Sequence, residues 1–209
     1  MTERFLDKVY HVSGQEAVVA LYDEWAEVYD EELTSIGYVT PTRLAAALAD
    51  TLADRAVPIL DFGCGTGLSG TALHEAGFGK VDGTDLSAEM LRIAATKKVY
   101  RRIWQTDPDT PIPVHPGDYA AITAVGVISI GAAPGSAFDA LLDCLAPGGL
   151  FAFSMNDQSM TLPDYIGRVR ASLEDGRAKL LSEAHGPHLT ANDQNSGSTV
   201  FVLERLGGI

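Results

Sequence analysis

Cysteine is nearly absent from this 209-residue chain: Cys64 and Cys144 are the only two, and neither stands in the C-x-x-C spacing of a redox or zinc motif. A disulfide framework therefore has no support, and two buried, reduced thiols are expected. Basic residues are scarce too. Fifteen Lys plus Arg face 28 Asp plus Glu, a net charge of −13, which repels nucleic acid and anionic lipid over most of the surface and favours a small-molecule substrate. No apolar run approaches the roughly 18 residues of a membrane span. The start, Met1-Thr2-Glu3-Arg4-Phe5-Leu6-Asp7-Lys8, lacks the apolar stretch of a signal peptide. A soluble, cytoplasmic protein that binds neither membrane nor nucleic acid is expected. Internal repeats and low-complexity segments are missing as well.

What is present is apolar substance for one core: 46% of positions are apolar and 21% charged. That fits a single domain over residues 1–209. Its parts would be N-terminal helices over 1–55, a ligand-binding core over 56–156, and a C-terminal helix with edge strands over 157–209. The one basic cluster, Lys97, Lys98, Arg101 and Arg102, either holds an anion or is a solvated surface, and the second is the usual fate of such a run.

Val18, Leu21, Tyr22, Trp25 and Tyr29 recur on one face of a helix. A second helix starts after Thr40-Pro41, with Leu44, Leu48 and Leu52 on its face and proline where a first-turn N–H is dispensable. Ala56 to Leu60 reads as a buried strand feeding a glycine turn. Strand and helix signals then alternate. A helix from Thr66 to Ala76 closes at Gly77, a strand runs from Lys80 to Thr84, and a helix is capped by Ser87, with Glu89 in its first turn. Strands follow at Val99 to Gln105 and Tyr119 to Val125, separated by a proline-rich acidic loop over Asp107 to Pro116. A helix face of Phe138, Leu141, Leu142 and Leu145 precedes Pro147-Gly148-Gly149 and the strand Leu150 to Phe153.

This alternation predicts an α/β fold: a Rossmann-like, doubly wound, seven-stranded, mostly parallel sheet. After a helix near Pro163 to Glu174, the strand-like runs Ala178 to Ala184 and Thr199 to Leu206 predict an antiparallel C-terminal pair at one edge, with His185 to Ser198 as a loop.

Asp61-Phe62-Gly63-Cys64-Gly65-Thr66-Gly67 lies between the first strand and a helix, where ligands bind at the carboxyl ends of parallel strands. Glycines admit a ligand close to the backbone, and the helix start offers free N–H groups. Asp85, at the end of the second strand, can accept hydrogen bonds from both hydroxyls of a ribose. An adenosine site follows. Gly65-Thr66-Gly67-Leu68-Ser69-Gly70 also satisfies the G-x-G-x-x-G pattern of dinucleotide sites, a weak signal alone. Asp61 argues against that reading, because it would repel a pyrophosphate and attract the ammonium of a methionine moiety. The alternative for Asp61 is a carboxylate that only pins the turn. Two helices upstream and no second domain for hydride transfer favour S-adenosylmethionine further.

The stretch Ile59 to Gly67 resembles motif I of class I S-adenosylmethionine-dependent methyltransferases, and Val81 to Leu91 resembles the segment after it. Leu145-Ala146-Pro147-Gly148-Gly149-Leu150 is similar to the family's turn into strand five. Tyr22-Asp23-x-x-Ala26-x-x-Tyr29-Asp30 resembles the helix that many members fold over the cofactor. The likeness runs from about Tyr22 to Asn156, and within the family it is nearest to the group related to the Williams-Beuren syndrome region methyltransferase. It implies S-adenosylmethionine as cofactor and S-adenosylhomocysteine as product. It implies that Asp61, Gly63, Cys64, Gly65, Thr66 and Gly67 form the loop at the methionine end, with Gly63 and Gly65 lining it. Asp85 would hold the ribose, with Leu86 packed on adenine and Met90 on the helix behind. Thr106 and Asp107 would sit near the adenine amino group, Val125 under the sulfur, and Tyr22 and Tyr29 over the methionine moiety. The two tyrosines are equally readable as core.

No metal site is expected. Neither Asn-Pro-Pro-Tyr nor Pro-Cys follows the fourth strand, so methylation of nucleic-acid bases has no support. Many relatives place a histidine near position 130, where Ile130 stands here. That leaves His185 and His188, with Gly-Pro between them, as candidates for a base, and the catalytic residues unassigned. Trp25 and Trp104 either wall an acceptor pocket or pack in the core. Methyl transfer to a small molecule is the leading function. An NAD-dependent oxidoreductase and a non-catalytic S-adenosylmethionine-binding protein are its alternatives.

Overall fold

The computed structural model describes residues 15–107, 110–191 and 197–207. The readings of Met1 to Lys8, and parts of the two loops expected over 107–116 and 185–198, lie outside the described residues. Two helices come first, α1 (Gln15–Ser35) and α2 (Thr40–Thr51). Then β1 (Ile59–Phe62), α3 (Leu68–Glu75), β2 (Val81–Asp85), α4 (Ala88–Thr96) and β3 (Ile103–Gln105) alternate. They are followed by β4 (Ala121–Ala124), α5 (Ala137–Asp143), β5 (Leu150–Asn156), α6 (Pro163–Glu174), β6 (Ala178–Pro187) and β7 (Gly197–Arg205).

The strands form one seven-stranded sheet in the order β3-β2-β1-β4-β5-β7-β6. Its first five strands are parallel and its last two pair antiparallel, β5 with β7 and β7 with β6. Side-chain alternation explains why helices cover both faces. Phe151 and Phe153 of β5 point with Phe201 and Leu203 of β7 into one core, packed against Phe138, Leu141 and Leu142 of α5. Leu150 and Ala152 point with Val200 and Val202 to the other face, onto Leu44 and Leu48 of α2 and Leu73 of α3. A third cluster, with Trp25, Leu33 and Ile36 at its centre, docks α1 on Met90 of α4.

Several boundaries differ from the sequence expectation. β1 starts and ends later than expected, at Ile59 and Phe62, so Asp61 belongs to the strand and is fully buried. β3 is shortened to Ile103–Gln105, because Lys98 takes a left-handed turn (φ 57°) and both Arg101 and Arg102 reach back to Asp82. β6 runs through His185 to Pro187, which were expected in a loop, since it stays paired to β7 as far as Gly197.

The basic cluster is not simply a solvated surface. Arg101 and Arg102 bond the Asp82 carboxylate, whose side chain is fully buried, and Lys97 pairs with Asp30 of α1 at 2.6 Å. Burial pushes the Asp82 carboxyl up, but the two guanidiniums and Tyr119 hold it below its usual value. A buried charge requires such partners.

Candidate functional site

A cavity of about 350 Å³ opens at the carboxyl ends of β1, β2 and β4, where the strand order reverses between β1 and β4. Its volume suits a small ligand. Gly63 and Gly65 form one wall. Both have positive φ, 66° and 52°, and they do different work. A Cβ on Gly63 would lie 2.4 Å from Val127 Cγ2, whereas one on Gly65 would meet nothing within 4 Å. The space over Gly65 is thus left for a ligand.

Asp85 lies at the cavity's edge, its carboxylate oriented by the N–H groups of Gly65 (2.8 Å) and Ser87 (2.9 Å). One bond to each oxygen leaves lone pairs free on both. Burial raises the carboxyl's pKa; the N–H groups of Ser87 and Gly65 oppose the rise and the charge of Asp23 adds to it. Leu86, Met90, Thr106 and Asp107 continue the lining on this side, and Val125 closes the floor. Tyr22 and Tyr29 line it from α1 while also packing on Trp25, with ring centroids at 5.8 and 4.5 Å, so they serve as core and as wall at once.

Four residues expected at the site do not line the cavity: Asp61, Cys64, Thr66 and Gly67. The hydroxyls of Ser69 (2.6 Å) and Tyr100 (2.7 Å) donate to one oxygen of Asp61, and Thr123 (2.8 Å) to the other. Burial raises the Asp61 pKa against those three bonds, and the charge of Asp85 reaches it. These three hydroxyls hold the Asp61 carboxylate beneath the loop, the arrangement of a carboxylate that pins the turn. The Cys64 thiol is buried beside Gly83, and its pKa is pushed well up by burial and by Asp61. Thr66 turns away to donate to Asp30 of α1. Gly67 caps α3 at φ 91°, with Tyr100 and Ala94 against it.

Tyr100 is the residue that sequence reasoning missed, having been placed in a strand. Its ring occupies the space a side chain would need at Gly70 (2.2 Å) and Gly83 (3.0 Å), and its hydroxyl accepts from the Gly70 N–H at 3.1 Å. The third glycine of the G-x-G-x-x-G match therefore makes room for Tyr100. The available signal was the pairing of small residues at 70 and 83 with a large aromatic nearby.

A second cavity of about 70 Å³ adjoins the first and shares Tyr22, Tyr29, Val125 and Gly126 with it. Trp25, Tyr38, Ser129, Ile130, Ser154, Asn156 and His188 complete its lining, among others. The two candidate histidines separate here. His185 is exposed and paired with Asp157 at 2.9 Å, whereas His188 reaches the small cavity, its pKa lowered to about 4 by burial and by Arg43. Trp25 is buried and contributes to this wall, while Trp104 packs against the core and lines neither cavity. Among the described residues no group of three or more His, Cys, Asp or Glu stands in position to hold a metal ion, and no helix is long and apolar enough to cross a membrane.

A family model described as a methyltransferase domain matches residues 36–193. Human methyltransferase-like protein 27 is 32% identical over 156 residues, which cover 73% of this chain and 63% of that protein, so the chain spans less than two thirds of this relative's length. Among solved structures, a Haloferax volcanii chain in complex with the methyltransferase activator Trm112 superposes with a TM-score of 0.69 at 16% identity, over 89% of this chain and 98% of its own. The [4+2]-cyclase SpnF gives 0.66 at 17% identity, over 92% and 96%. A TehB-like S-adenosylmethionine-dependent methyltransferase from Corynebacterium glutamicum gives 0.60 at 20% identity, over 89% and 98%.

Proposed function

The chain belongs to the methyltransferase domain family, whose cofactor is S-adenosylmethionine, and from that premise we propose that it transfers the methyl group of S-adenosylmethionine to a small-molecule acceptor. The single observation that carries this reading is the pairing of the open space over Gly65 with the Asp85 carboxylate, oriented by the Gly65 N–H at 2.8 Å. Asp85 offers lone pairs to two ribose hydroxyls, and Gly63 and Gly65 give the methionine end backbone contact. On this reading Leu86 and Met90, which line the cavity, would face the adenine, with Thr106 and Asp107 at its edge. Val125 would lie beneath the sulfur, with Tyr22 and Tyr29 above it, all three being lining residues. Asp61, Cys64, Thr66 and Gly67 hold the loop in shape without touching the ligand.

A sulfonium is an activated methyl donor, so the protein's task is to hold a nucleophile in line with the S–CH3 bond and keep water away. Held by Gly63, Gly65 and Asp85, the cofactor would supply the methyl group and keep the C–S electron pair as the acceptor's lone pair takes the carbon, and a proton on the acceptor would pass to solvent. No base is required by that chemistry.

The acidic surface, net −13, favours a small acceptor over nucleic acid. Organisation as one domain over 1–209, a place near the Williams-Beuren syndrome region group, and a cytoplasmic location where cells keep S-adenosylmethionine belong to the same proposal. The experiment is transfer of label from [methyl-³H]S-adenosylmethionine to a panel of small molecules, with nucleic acid and protein extracts as competing arms. Label appearing in a small molecule supports the reading. Label appearing in nucleic acid or protein alone contradicts it.

A further inference from the structure

Among the described residues, the small cavity beside the cofactor site is lined by no Lys, Arg, Asp or Glu. Its polarity comes instead from groups whose hydrogen-bonding sense is set from outside. Ser154 Oγ, 1% exposed, accepts the Gly126 N–H at 2.9 Å, and no acceptor for its own proton is found among the described residues. Asn156 Oδ1 accepts the Ser159 N–H at 2.8 Å, which leaves the side-chain NH2 to donate elsewhere.

His188 is set by a longer chain. Arg43, which can only donate, gives an N–H to Ser198 Oγ at 2.9 Å. Ser198 Oγ is 3.0 Å from Thr40 Oγ1, and Thr40 Oγ1 is 2.8 Å from His188 Nδ1. Ser198 is buried, and Thr40 is the contact to which its proton can go among the described residues. Serine therefore donates to threonine and threonine to Nδ1. The ring is left neutral with its proton on Nε2, and burial together with the positive field of Arg43 works against a second proton.

Resting on the methyltransferase reading, we propose that this cavity is the head-group subsite of the methyl acceptor, and that it takes a carbonyl or carboxylate oxygen held by the Ser154 hydroxyl, the Asn156 amide and the His188 Nε2–H. Its volume of about 70 Å³, against about 350 Å³ for the cavity beside it, suits a compact oxygen-bearing head group. A protonated amine finds no carboxylate among the described residues of its lining. A carboxylate head would have its counter-charge in the sulfonium of the bound cofactor. His188 thus acts as a neutral donor that selects the acceptor, and its low basicity bars it from taking a proton during transfer at neutral pH.

The test is a titration of the full chain with acetate, acetamide and methylammonium, alone, with saturating S-adenosylhomocysteine, and with saturating S-adenosylmethionine, whose sulfonium supplies the counter-charge for a carboxylate. The His188 side-chain ¹⁵N–¹H signals report the outcome, assigned by their loss in His188→Gln. The proposal expects a neutral ring carrying its proton on Nε2, and a saturable shift of that signal with acetate or acetamide but not with methylammonium. A larger response to acetate identifies a carboxylate head, and a larger response to acetamide a neutral carbonyl. In calorimetry, His188→Leu is expected to weaken the preferred probe by about tenfold or more, the scale of one lost hydrogen bond in a buried site, while His188→Gln, which keeps a donor, retains most of the affinity. Unchanged S-adenosylhomocysteine binding in His188→Leu shows that the variant is folded. A proton on Nδ1, no response to either oxygen probe, or a preference for methylammonium overturns the proposal. So does S-adenosylhomocysteine blocking the probes by filling the cavity itself. Failure of S-adenosylhomocysteine to bind at all sinks the cofactor reading instead, and the cofactor-free arm still decides the subsite.

Discussion

The large cavity and the small one beside it share Tyr22, Tyr29, Val125 and Gly126, yet they are assembled differently. The large one is built mainly from the ends of successive strands and the turns that follow them, Phe62, Gly63 and Gly65 at the end of β1, Asp85 to Ser87 at the end of β2, Thr106 and Asp107 after β3. The small one joins α1, the end of β5 and His188, and its key hydrogen bond spans 148 residues from Thr40 to His188. A site made from consecutive turns is governed by local backbone conformation. A site made from distant segments depends on the whole sheet being in register.

The sharpest way to break that contrast is Gly65→Val. Its φ of 52° disfavours a branched side chain and its open face is the proposed ligand space, so cofactor binding is expected to be abolished in calorimetry while circular dichroism shows a folded protein. Normal binding would remove the glycine loop from the site. Next in size is Asp85→Ala. Two charge-assisted hydrogen bonds to the ligand are lost, on the order of 2 to 4 kcal/mol of cofactor affinity, and unchanged affinity would mean that the end of β2 does not face the ribose.

Tyr100→Phe tests the support beneath the loop. It removes the hydroxyl that donates to Asp61 and accepts from Gly70. A loss of about 2 kcal/mol in stability is expected, read as a fall of roughly 4 to 8 °C in Tm, with a smaller change in cofactor affinity than Asp85→Ala gives. The reverse ranking would place Tyr100 in contact with the ligand. The mildest effect is that of pH. The Asp85 pKa is raised by burial, so the carboxylate that accepts the ribose hydroxyls is present at high pH and lost as pH falls through the raised value. Cofactor affinity is expected to begin weakening above the ordinary carboxylate pKa of about 4. An affinity flat down to pH 4 would remove Asp85 from the interaction.

The two cavities also mark what a single sequence makes legible. The sheet, its antiparallel edge pair and the glycine loop were readable because Ile59-Leu60, the positive-φ glycines and the Ser87 cap are local signals whose meaning does not depend on the rest of the chain. Ser87 indeed accepts from the Met90 N–H at 3.0 Å. The surroundings of Asp61 were not legible, because its three hydroxyl donors come from residues 69, 100 and 123. Tyr100 was missed for the same reason, since nothing local tells a strand residue from one folded back over Gly70 and Gly83. Ser154 and Asn156 carried no signal in sequence, and β5 was expected to stop at Phe153, before reaching either. His185 and His188 looked alike in sequence. Only the pairing of β6 with β7 as far as Pro187 puts one in solvent and the other at the small cavity.

The central claim is that the glycine loop and Asp85 hold S-adenosylmethionine. Isothermal titration of the purified protein with S-adenosylmethionine, S-adenosylhomocysteine and NADH in parallel tests it directly. Saturable binding of the first two, with no heat from NADH, is the predicted result, whereas binding of NADH alone would contradict the account and return the site to a dinucleotide.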